Sequence, residues 1–476
     1  MTFASAIFLF GYLPVFFSIY YITPFKYKSY VIAFASYLFY GWWRLDFLAL
    51  LLIVTFGNYW VGGRIAHAFS RSSAKNWLIF AIVGDLCVLG YFKYWNFFVD
   101  SLADLLNDGR PFSLLIGGVI LPIGISFYVF QAISYVIDVY RADAPPAKRL
   151  IDFAAFKAMF PQLVAGPVIR YKDIEAQFEH RTHSWELFGQ GALRFFSGLA
   201  KKVLIADSVA PIADAVFSAP SPTFAETWIG ALAYSVQLYF DFSAYSSMAV
   251  GLAMMMGFRF IENFRFPYIS SSITEFWRRW HISLSTWLRE YLYFSLGGNR
   301  LGIYRTYINL MLTMVLGGLW HGANWTFILW GLLHGVLLAS ERALGVTGKE
   351  GFIIWRWVPT MVFVILGWVL FRAPDMGVAV QYYAGMFGHN GFGLRDAMAW
   401  QISYFGLSML VIGIALALTE PWLNRVFGIE TISEPLKKDK LGPVPLHGAV
   451  VVCLLGALAV VKLMADNDSP FLYFQF

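Results

Sequence analysis

Charged residues are scarce in this chain of 476 residues, because Asp, Glu, Lys and Arg together make up only 13% of it. Soluble domains carry about 25% charged residues, whereas 59% of this sequence is hydrophobic and 19% is aromatic. A water-soluble monomer could not bury so much apolar side chain, and the composition also excludes disorder, a collagen-like repeat and a coiled coil. At about 20 residues per spanning helix, the length suffices for roughly a dozen spans. The composition therefore predicts an all-α polytopic membrane protein.

Cysteine is almost absent, since the chain contains only Cys87 and Cys453, both within apolar runs. This excludes a disulfide framework and a CxxC metal site. The chain also lacks a Walker A motif, a GxSxG elbow, HExxH, a Rossmann glycine fingerprint and the HxxxxD arrangement of soluble acyltransferases. No histidine pair has the i, i+4 spacing that binds a metal, and no nucleic-acid-binding motif accompanies the net charge of +6. We therefore predict neither a metal site nor a nucleic-acid partner, and expect the positive charge to face an anionic lipid leaflet.

Long apolar segments are distributed along the whole chain without a fixed internal repeat. Candidate spans are 3–22, 29–43, 46–62, 77–93, 113–138, 225–257, 306–322, 324–340, 352–371, 400–418 and 446–464. Lysines in two connecting segments, Lys26 with Lys28 and the run Lys437, Lys438 and Lys440, predict cytoplasmic loops.

The pattern changes between residues 151 and 223. The segment 160–167, FPQLVAGP, is too rich in proline and glycine for a plain span, and Arg194, Lys201 and Lys202 interrupt the apolar residues that follow. Irregular backbone at membrane depth is tolerated where it lines a cavity enclosed by protein. The segment therefore predicts interfacial or re-entrant helices and indicates a nearby site.

Residues 271–293 have the periodicity of one amphipathic helix. Ser272 followed by Glu275 predicts a capping box at its start, and Glu275 can pair with Arg279 one turn later. Tryptophans on one face and arginines near the other predict a helix that lies in the membrane interface.

His281 falls on the edge of the apolar face of this helix and is predicted to point inward. From the helix alone, a core histidine with one hydrogen bond is the simpler interpretation. Arg278, Arg279 and Arg289 are interpreted first as contacts to lipid headgroups and second as nucleotide- or phosphate-binding residues.

No charged residue occurs from Thr306 to Ser340, a stretch of 35 residues. One helix of that length would measure about 52 Å, well beyond a hydrocarbon core of about 30 Å. The chain is therefore predicted to break at residues 317–324, which include His321. A histidine at membrane depth is a functional candidate and suits general-base catalysis, whereas a neutral histidine bonded to a carbonyl is the structural alternative.

Three other polar residues in apolar segments are weaker candidates. His334 lies in a plain helical segment and is assigned a structural role. Asp241 and Asp85 either orient a histidine or are satisfied by hydroxyl groups.

Several long segments carry a resemblance to a known family. They are 36–48, 121–141, 160–171, 237–264, 276–300, 316–335 and 469–476. Together they resemble the membrane-bound O-acyltransferases, and more narrowly the bacterial members that acetylate alginate. Departures are modest: Ala244 and Ser247 stand where such proteins often have Gly and Asp, and the loop 420–445 is compact.

The resemblance implies a fold and a division of the chain. It implies one integral membrane domain over residues 1–476, in which a ring of helices surrounds a thinned core with re-entrant and interfacial helices and a central tunnel. Peripheral spans would occupy 1–110, the catalytic core about 113–345, and C-terminal spans 352–476.

The resemblance also implies site residues. His321 matches the near-invariant catalytic histidine, and His281 matches a second position that is held by Asn, Asp or His. We predict these two as catalytic residues. Predicted substrate-binding residues are Trp320, Asn324, Arg278, Arg279 and Asp241.

The activity implied is the transfer of acetyl groups from a cytoplasmic donor, expected to be acetyl-CoA, across the bacterial inner membrane. No permanently bound cofactor is expected. Expected partners are periplasmic SGNH-type acetyltransferases, an exopolysaccharide synthesis and secretion complex, and the lipid bilayer. Alginate is the first candidate for the acetylated polymer, and cellulose or another exopolysaccharide is the alternative. A transporter or a scaffold without enzymatic activity is a further alternative.

Overall fold

The computed structural model describes residues 2–106, 117–164, 166–346, 352–427, 444–466 and 469, and every regular element among them is helical. This confirms the predicted all-α class. Several predicted features lie wholly or partly outside the described residues, among them the lysine run 437–440, the compact loop 420–445, the tail motif 469–476 and the start of the candidate span 113–138.

The described helices fall into two compact units, the first of which comprises residues 1–189 and 252–260. Its helices are α1 Leu13–Ile22, α2 Lys28–Gly41, α3 Leu45–Ala66, α4 Arg71–Leu89, α5 Trp95–Leu105, α6 Ile125–Arg141, α7 Leu150–Ala158, α8 Phe160–Leu163 and α9 Tyr171–Glu179. Single π-helical turns, Ile7–Tyr12 and Gly90–Tyr94, precede α1 and join α4 to α5.

The second unit comprises residues 190–251 and 261–476. The remaining helices are α10 Trp185–Ala200, α11 Asp207–Phe217, α12 Phe224–Met255, α13 Ile273–Arg279, α14 Ile282–Trp287, α15 Ile303–His321, α16 Trp325–Ala343, α17 Ile354–Arg372, α18 Met376–Met386, α19 Asp396–Ala399, α20 Tyr404–Phe427 and α21 Leu446–Asp466. The predicted division into peripheral spans, core and C-terminal spans stays a prediction, as do the ring and the tunnel.

Within the described part of the chain, five helices are long and apolar enough to cross a membrane. They are Leu45–Ala66, Arg71–Leu105, Ile354–Arg372, Tyr404–Val426 and Leu446–Asp466. At 1.5 Å per residue, the 21 residues of α21 measure about 31 Å, which matches the hydrocarbon core. Large apolar side chains on α21 point away from the protein, such as Leu454 and Val461, each 66% exposed. The chain is therefore a multi-pass membrane protein.

The segment 160–167 is irregular, as predicted. Among its described residues, 160–164 and 166–167, the only helix is the four-residue α8, in which every residue is buried. A Cβ atom on Gly166 would lie 2.4 Å from the carbonyl oxygen of Pro161, so the chain folds back tightly on itself here. The broken backbone is thus enclosed by protein, which is the condition under which a membrane protein tolerates it.

The prediction of one continuous helix over 271–293 is wrong. α13 ends at Arg279, His281 takes the left-handed conformation with φ 44° and ψ 54°, and α14 begins at Ile282. The Ile282 amide donates to the backbone oxygen of Asn263 (2.9 Å) instead of to a preceding turn of helix. A tertiary hydrogen bond therefore replaces a helical one at the break.

The start of α13 agrees with its predicted cap. Ser272 Oγ accepts a hydrogen bond from the Glu275 amide (3.0 Å), and Glu275 pairs with Arg279 (2.9 Å). The aromatic face does not lie open toward lipid, because Trp280 and Trp287 are only 3% and 6% exposed. This face packs against protein.

The predicted break in the charge-free stretch is confirmed. α15 ends at His321, and α16 begins at Trp325 after Asn324, whose Oδ1 accepts from the Thr326 amide (3.1 Å). The two helices form a hairpin, and His321 lies at its turn.

Two glycines let α15 and α16 approach closely. A Cβ atom on Gly318 would lie 2.2 Å from the Phe327 carbonyl oxygen, and one on Gly331 would lie 2.3 Å from the Met314 carbonyl oxygen. Since both obstacles are backbone atoms, they cannot move aside as a flexible side chain can. The close crossing therefore determines where the end of α15 lies.

Gly331→Ala is expected to destabilise the protein by about 1–3 kcal/mol, because the added methyl group forces the hairpin apart. The midpoint of thermal unfolding of the purified protein in detergent measures this. Gly57→Ala in α3 is the matched control, since no heavy atom beyond its chain neighbours and its own helix backbone lies within 4 Å of the added Cβ. An unchanged midpoint for Gly331→Ala would show that the crossing is not tight.

Candidate active site

Two buried histidines meet in the second unit. The ring centroids of His281 and His321 are 6.2 Å apart. His281 is fully buried and His321 is 4% exposed. The chain brings them together from the end of α15 and from the turn between α13 and α14, so two residues that are 40 positions apart can act on one reacting group.

Aromatic rings surround the pair. His321 packs edge-on against Trp320 (5.0 Å between centroids), Trp330 (5.1 Å) and Phe371 (5.1 Å). His281 packs against Trp320 (5.9 Å) and Phe242 (4.7 Å). The apolar rings keep bulk water from the imidazoles, and electrostatic interactions are stronger in such a low-dielectric environment. Trp320, predicted to bind substrate, contacts both histidines.

The backbone that follows His281 is held by one side chain. Asn263 Oδ1 accepts hydrogen bonds from the Ser283 amide (3.2 Å) and the Ser283 hydroxyl (2.9 Å). Together with the bond from the Ile282 amide to the Asn263 backbone oxygen (2.9 Å), these contacts hold the turn in place. They orient His281 without using its ring.

Asn324, predicted to bind substrate, stabilises the turn between α15 and α16, and its contact with substrate stays a prediction. Its Oδ1 caps α16, and its Nδ2 donates to the backbone oxygen of Pro374 (2.7 Å). Both ends of the amide therefore stabilise the turn that follows His321.

His334 lies in the same aromatic cluster but has a different environment. Its Nδ1 accepts from Trp277 Nε1 (3.3 Å), and its ring packs on Trp330 (4.9 Å). Trp330 therefore contacts both His321 and His334. These contacts agree with the structural role assigned to His334.

The predicted substrate-binding charges lie in different environments. Arg278 is exposed on α13, whereas Arg279 pairs with Glu275 and donates to the Arg265 backbone oxygen (3.1 Å). Asp241 forms a buried ion pair with Lys202 (2.8 Å). An ion pair was not among the arrangements predicted for this carboxylate, which were contact with a histidine, with hydroxyl groups or with substrate.

The other weak candidate, Asp85, lies in the first unit, where it accepts a hydrogen bond from Asn58 Nδ2 (2.9 Å). In the part of the chain that the structure describes, no group of three or more His, Cys, Asp and Glu side chains is placed to hold a metal ion.

A polar cavity of about 370 Å³ in the second unit was not predicted as a site. Its charged lining residues are Arg194, Lys201, Glu262, Arg265, Arg279, Glu420 and Arg425. The sequence did indicate buried charges in this region, because Arg194 and Lys201 interrupt an apolar stretch. Their carboxylate partners, Glu262 and Glu420, are far from them in the sequence, so the cavity could not be assembled from spacing.

Comparisons with known proteins show which family the chain resembles. Residues 148–383 match the model of the membrane-bound O-acyltransferase family. The probable alginate O-acetylase AlgI of Azotobacter vinelandii is 50% identical, and that of Pseudomonas putida is 49% identical, each aligned over 100% of both chains. The peptidoglycan O-acetyltransferase of Helicobacter pylori is 34% identical over 100% of this chain and 98% of its own length. The chain therefore belongs to the membrane-bound O-acyltransferase family and is an acyltransferase.

Proposed function

We propose that this enzyme passes acetyl groups from a cytoplasmic thioester donor, acetyl-CoA, across the bacterial inner membrane for O-acetylation of a secreted exopolysaccharide, and that the polymer is alginate. The observation that carries the proposal is the buried pair of His281 and His321. Relatives similar over their whole length and named for alginate acetylation support the choice of polymer.

His321 acts as the general base in this proposal. Its neutral imidazole accepts the proton of an acceptor hydroxyl while the hydroxyl oxygen attacks the thioester carbonyl. The carbon–sulfur bond then breaks, the ester forms, and the proton passes from the imidazolium to the leaving thiolate. The acceptor is a sugar hydroxyl or a serine of a periplasmic SGNH-type partner that belongs to the secretion complex.

His281 stabilises the intermediate in this proposal. When the hydroxyl adds to the carbonyl, negative charge develops on the carbonyl oxygen, and a ring N–H of His281 donates a hydrogen bond to it. The rings of Trp320, Trp330 and Phe371 exclude water, which would otherwise hydrolyse the thioester.

A second route has the same histidine as a nucleophile. Nδ1 or Nε2 of His321 attacks the thioester, releases the thiol and carries the acetyl group as an acyl-imidazole before the acceptor takes it. The two routes differ when acceptor is absent. Brief incubation with radiolabelled acetyl-CoA, followed by rapid denaturation at neutral pH, should leave label on the parent protein and not on His321→Ala if His321 is acylated.

The proposal is tested in two steps. Purified enzyme in detergent is incubated with radiolabelled acetyl-CoA and a hydroxyl acceptor, and release of free thiol is measured together with ester formation. A transporter or a scaffold would not consume the thioester, so absence of thiol release would contradict the proposal.

The second step identifies the polymer. The acetyl content of alginate, cellulose and peptidoglycan is compared between the parent strain and a strain that lacks the gene, with the intact gene restored as the control. We expect only alginate to lose its acetyl groups. Loss of acetyl groups from cellulose or peptidoglycan alone would support the same transfer reaction but with that polymer, and not alginate, as the acceptor.

A further inference from the structure

A groove on the first unit combines apolar walls with two positive charges. Residues of α2, α3 and the start of α7 line it, and its volume is about 760 Å³, within the range of small-ligand sites, about 300–1,000 Å³. Leu52, Phe56 and Ile151 supply apolar side chains, and Lys148 and Arg149 supply the charges. No carboxylate is among the described residues that line this first groove. Its lining therefore favours a ligand that is apolar along most of its length and anionic at one end.

Both cations have acidic neighbours outside the groove, but these pairs are weak. Lys148 pairs with Glu179 (2.6 Å), and the two side chains are 70% and 45% exposed. Arg149 lies 3.6 Å from Asp152, which is longer than a hydrogen bond. Ion pairs that are open to solvent contribute little to stability. A phosphate group can therefore replace these contacts, and it can accept two hydrogen bonds from one guanidinium group.

A second apolar groove meets the first at Tyr30, which lines both. This second groove follows α1 and α2 and has a volume of about 700 Å³, with Val15, Ile19 and Phe34 in its lining. It extends along α2 from Tyr30 to Trp42, which is about 18 Å at 1.5 Å per residue. Half of a hydrocarbon core measures about 15 Å. The second groove therefore has the length of an acyl chain within one leaflet.

The positive charges lie beside the residue that the two grooves share. The Arg149 guanidinium group lies over the ring of Tyr30, 6.0 Å from its centroid. The phenol ring of Tyr30 is 42% exposed, so a ligand can contact it from either groove. Two apolar grooves that start from one cationic point match a glycerophospholipid, in which two acyl chains are attached to one phosphorylated headgroup.

This end of the helices is predicted to face the cytoplasm. Only three residues join the end of α2 to the start of α3, so the start of α2 and the end of α3 lie at the same end of a helical hairpin. The basic residues in the chain segments at that end are Lys26, Lys28, Arg64 and Arg71. At the opposite end, Arg44 pairs with Asp46 (2.6 Å). An excess of Lys and Arg marks the cytoplasmic side, where the leaflet is rich in anionic lipids.

We propose that the two grooves bind one anionic glycerophospholipid of the cytoplasmic leaflet. Arg149 and Lys148 bind its phosphate, and one acyl chain lies in each groove. The bound lipid contacts the start of α7, the helix that leads into the buried irregular segment 160–167, and so stabilises the first unit. The site is remote in sequence from His281 and His321 and takes no part in acyl transfer, so this inference does not depend on the proposed function.

Lipid binding to the delipidated, full-length protein in detergent tests the proposal. Dioleoyl phosphatidylglycerol and dioleoyl phosphatidylcholine are titrated separately, and bound lipid is counted by native mass spectrometry. The two lipids have the same acyl chains and differ in the net charge of the headgroup. We expect one phosphatidylglycerol to bind about tenfold more tightly than phosphatidylcholine, as for one additional charge-assisted contact. It should also raise the midpoint of thermal unfolding, because a ligand of the folded state stabilises that state.

Arg149→Gln should weaken binding of phosphatidylglycerol about tenfold and leave that of phosphatidylcholine unchanged. Arg149→Lys should recover part of the loss. Arg44→Gln is the matched control, because Arg44 is also a partly exposed arginine with an acidic neighbour but lies at the opposite end of the hairpin. Phe56→Ala, at a position that is 60% exposed, should weaken binding of both lipids, since it removes part of an apolar wall. The thermal midpoint without lipid shows that each variant is folded.

Three outcomes would overturn the inference. Equal affinities for the two lipids would show that the grooves hold ordinary boundary lipid. Displacement of phosphatidylglycerol by glycerol 3-phosphate at similar concentrations would show that the cations bind free phosphate without help from the grooves. An affinity for phosphatidylglycerol that is the same in Arg149→Gln and Arg44→Gln would place the lipid elsewhere. The proposed function would stand in all three cases, because thiol release does not depend on these grooves.

Discussion

Replacing His321 with alanine is expected to abolish acyl transfer while the protein remains folded in the membrane. Loss of a positioned general base costs about 10²–10⁴ in rate, and loss of a nucleophile removes the route altogether. Alanine is compatible with the last position of α15, and the adjacent turn is capped by Asn324 rather than by the histidine. Polymer acetylation in cells and thiol release by the purified variant measure the effect.

His334→Ala is the matched control for this experiment. It also removes an imidazole that packs on Trp330, at 4.9 Å against 5.1 Å for His321. Any effect of an empty space in the aromatic cluster should therefore appear in both variants, and we expect His334→Ala to keep its activity within a few fold. Normal acetylation by His321→Ala, or equal losses in the two variants, would contradict the catalytic assignment.

Replacing His281 with alanine is expected to lower kcat by about 10²–10³, the usual cost of removing one donor to a developing oxyanion. KM for acetyl-CoA should change little, because the proposed interaction strengthens only as negative charge develops in the transition state. His281→Asn should retain a larger part of the activity, since its amide can donate to the same oxygen. Steady-state kinetics of the purified variants separate kcat from KM.

A structural explanation predicts another pattern for His281. If the side chain served packing alone, the loss of activity would follow the loss of thermal stability, and the asparagine variant would be no better than alanine. A kcat for His281→Ala within twofold of the parent value would remove this residue from the catalytic machinery.

The position of His321 at a helix break could be predicted from sequence, because the thickness of the membrane requires a break and the glycines locate it. A charge-free stretch of 35 residues exceeds the thickness of a membrane, so the chain had to break, and the glycines at 317, 318 and 322 indicated where. The break lies between His321 and Trp325. Length and composition were sufficient to predict this break, because it depends only on residues within the stretch itself.

The helix break at His281 could not be predicted in the same way. The apolar periodicity continues across it, and neither Pro nor Gly occurs between residues 271 and 293. The break depends on Asn263, which takes the hydrogen bonds of Ile282 and Ser283 from another part of the chain. Periodicity reports which residues face the core and does not report whether the backbone between them is continuous.

Partners distant in sequence explain the other differences. Asp241 was recognised as a buried acid, but its counter-ion, Lys202, lies 39 residues earlier, and spacing alone does not show that the two meet. The cavity likewise pairs Arg194 with Glu262, which is 68 residues away. The sequence indicated that buried charges need partners, and only the fold shows which ones they have.

The left-handed backbone at position 281 restricts the residues that evolution can place there. Apart from glycine, Asn, Asp and His are the residues enriched in this conformation, whereas β-branched side chains are strained in it. The family resemblance assigns the same three residue types to this position. The backbone conformation alone therefore limits which residues can occupy position 281. A change among Asn, Asp and His at this position does not by itself indicate a change of reaction.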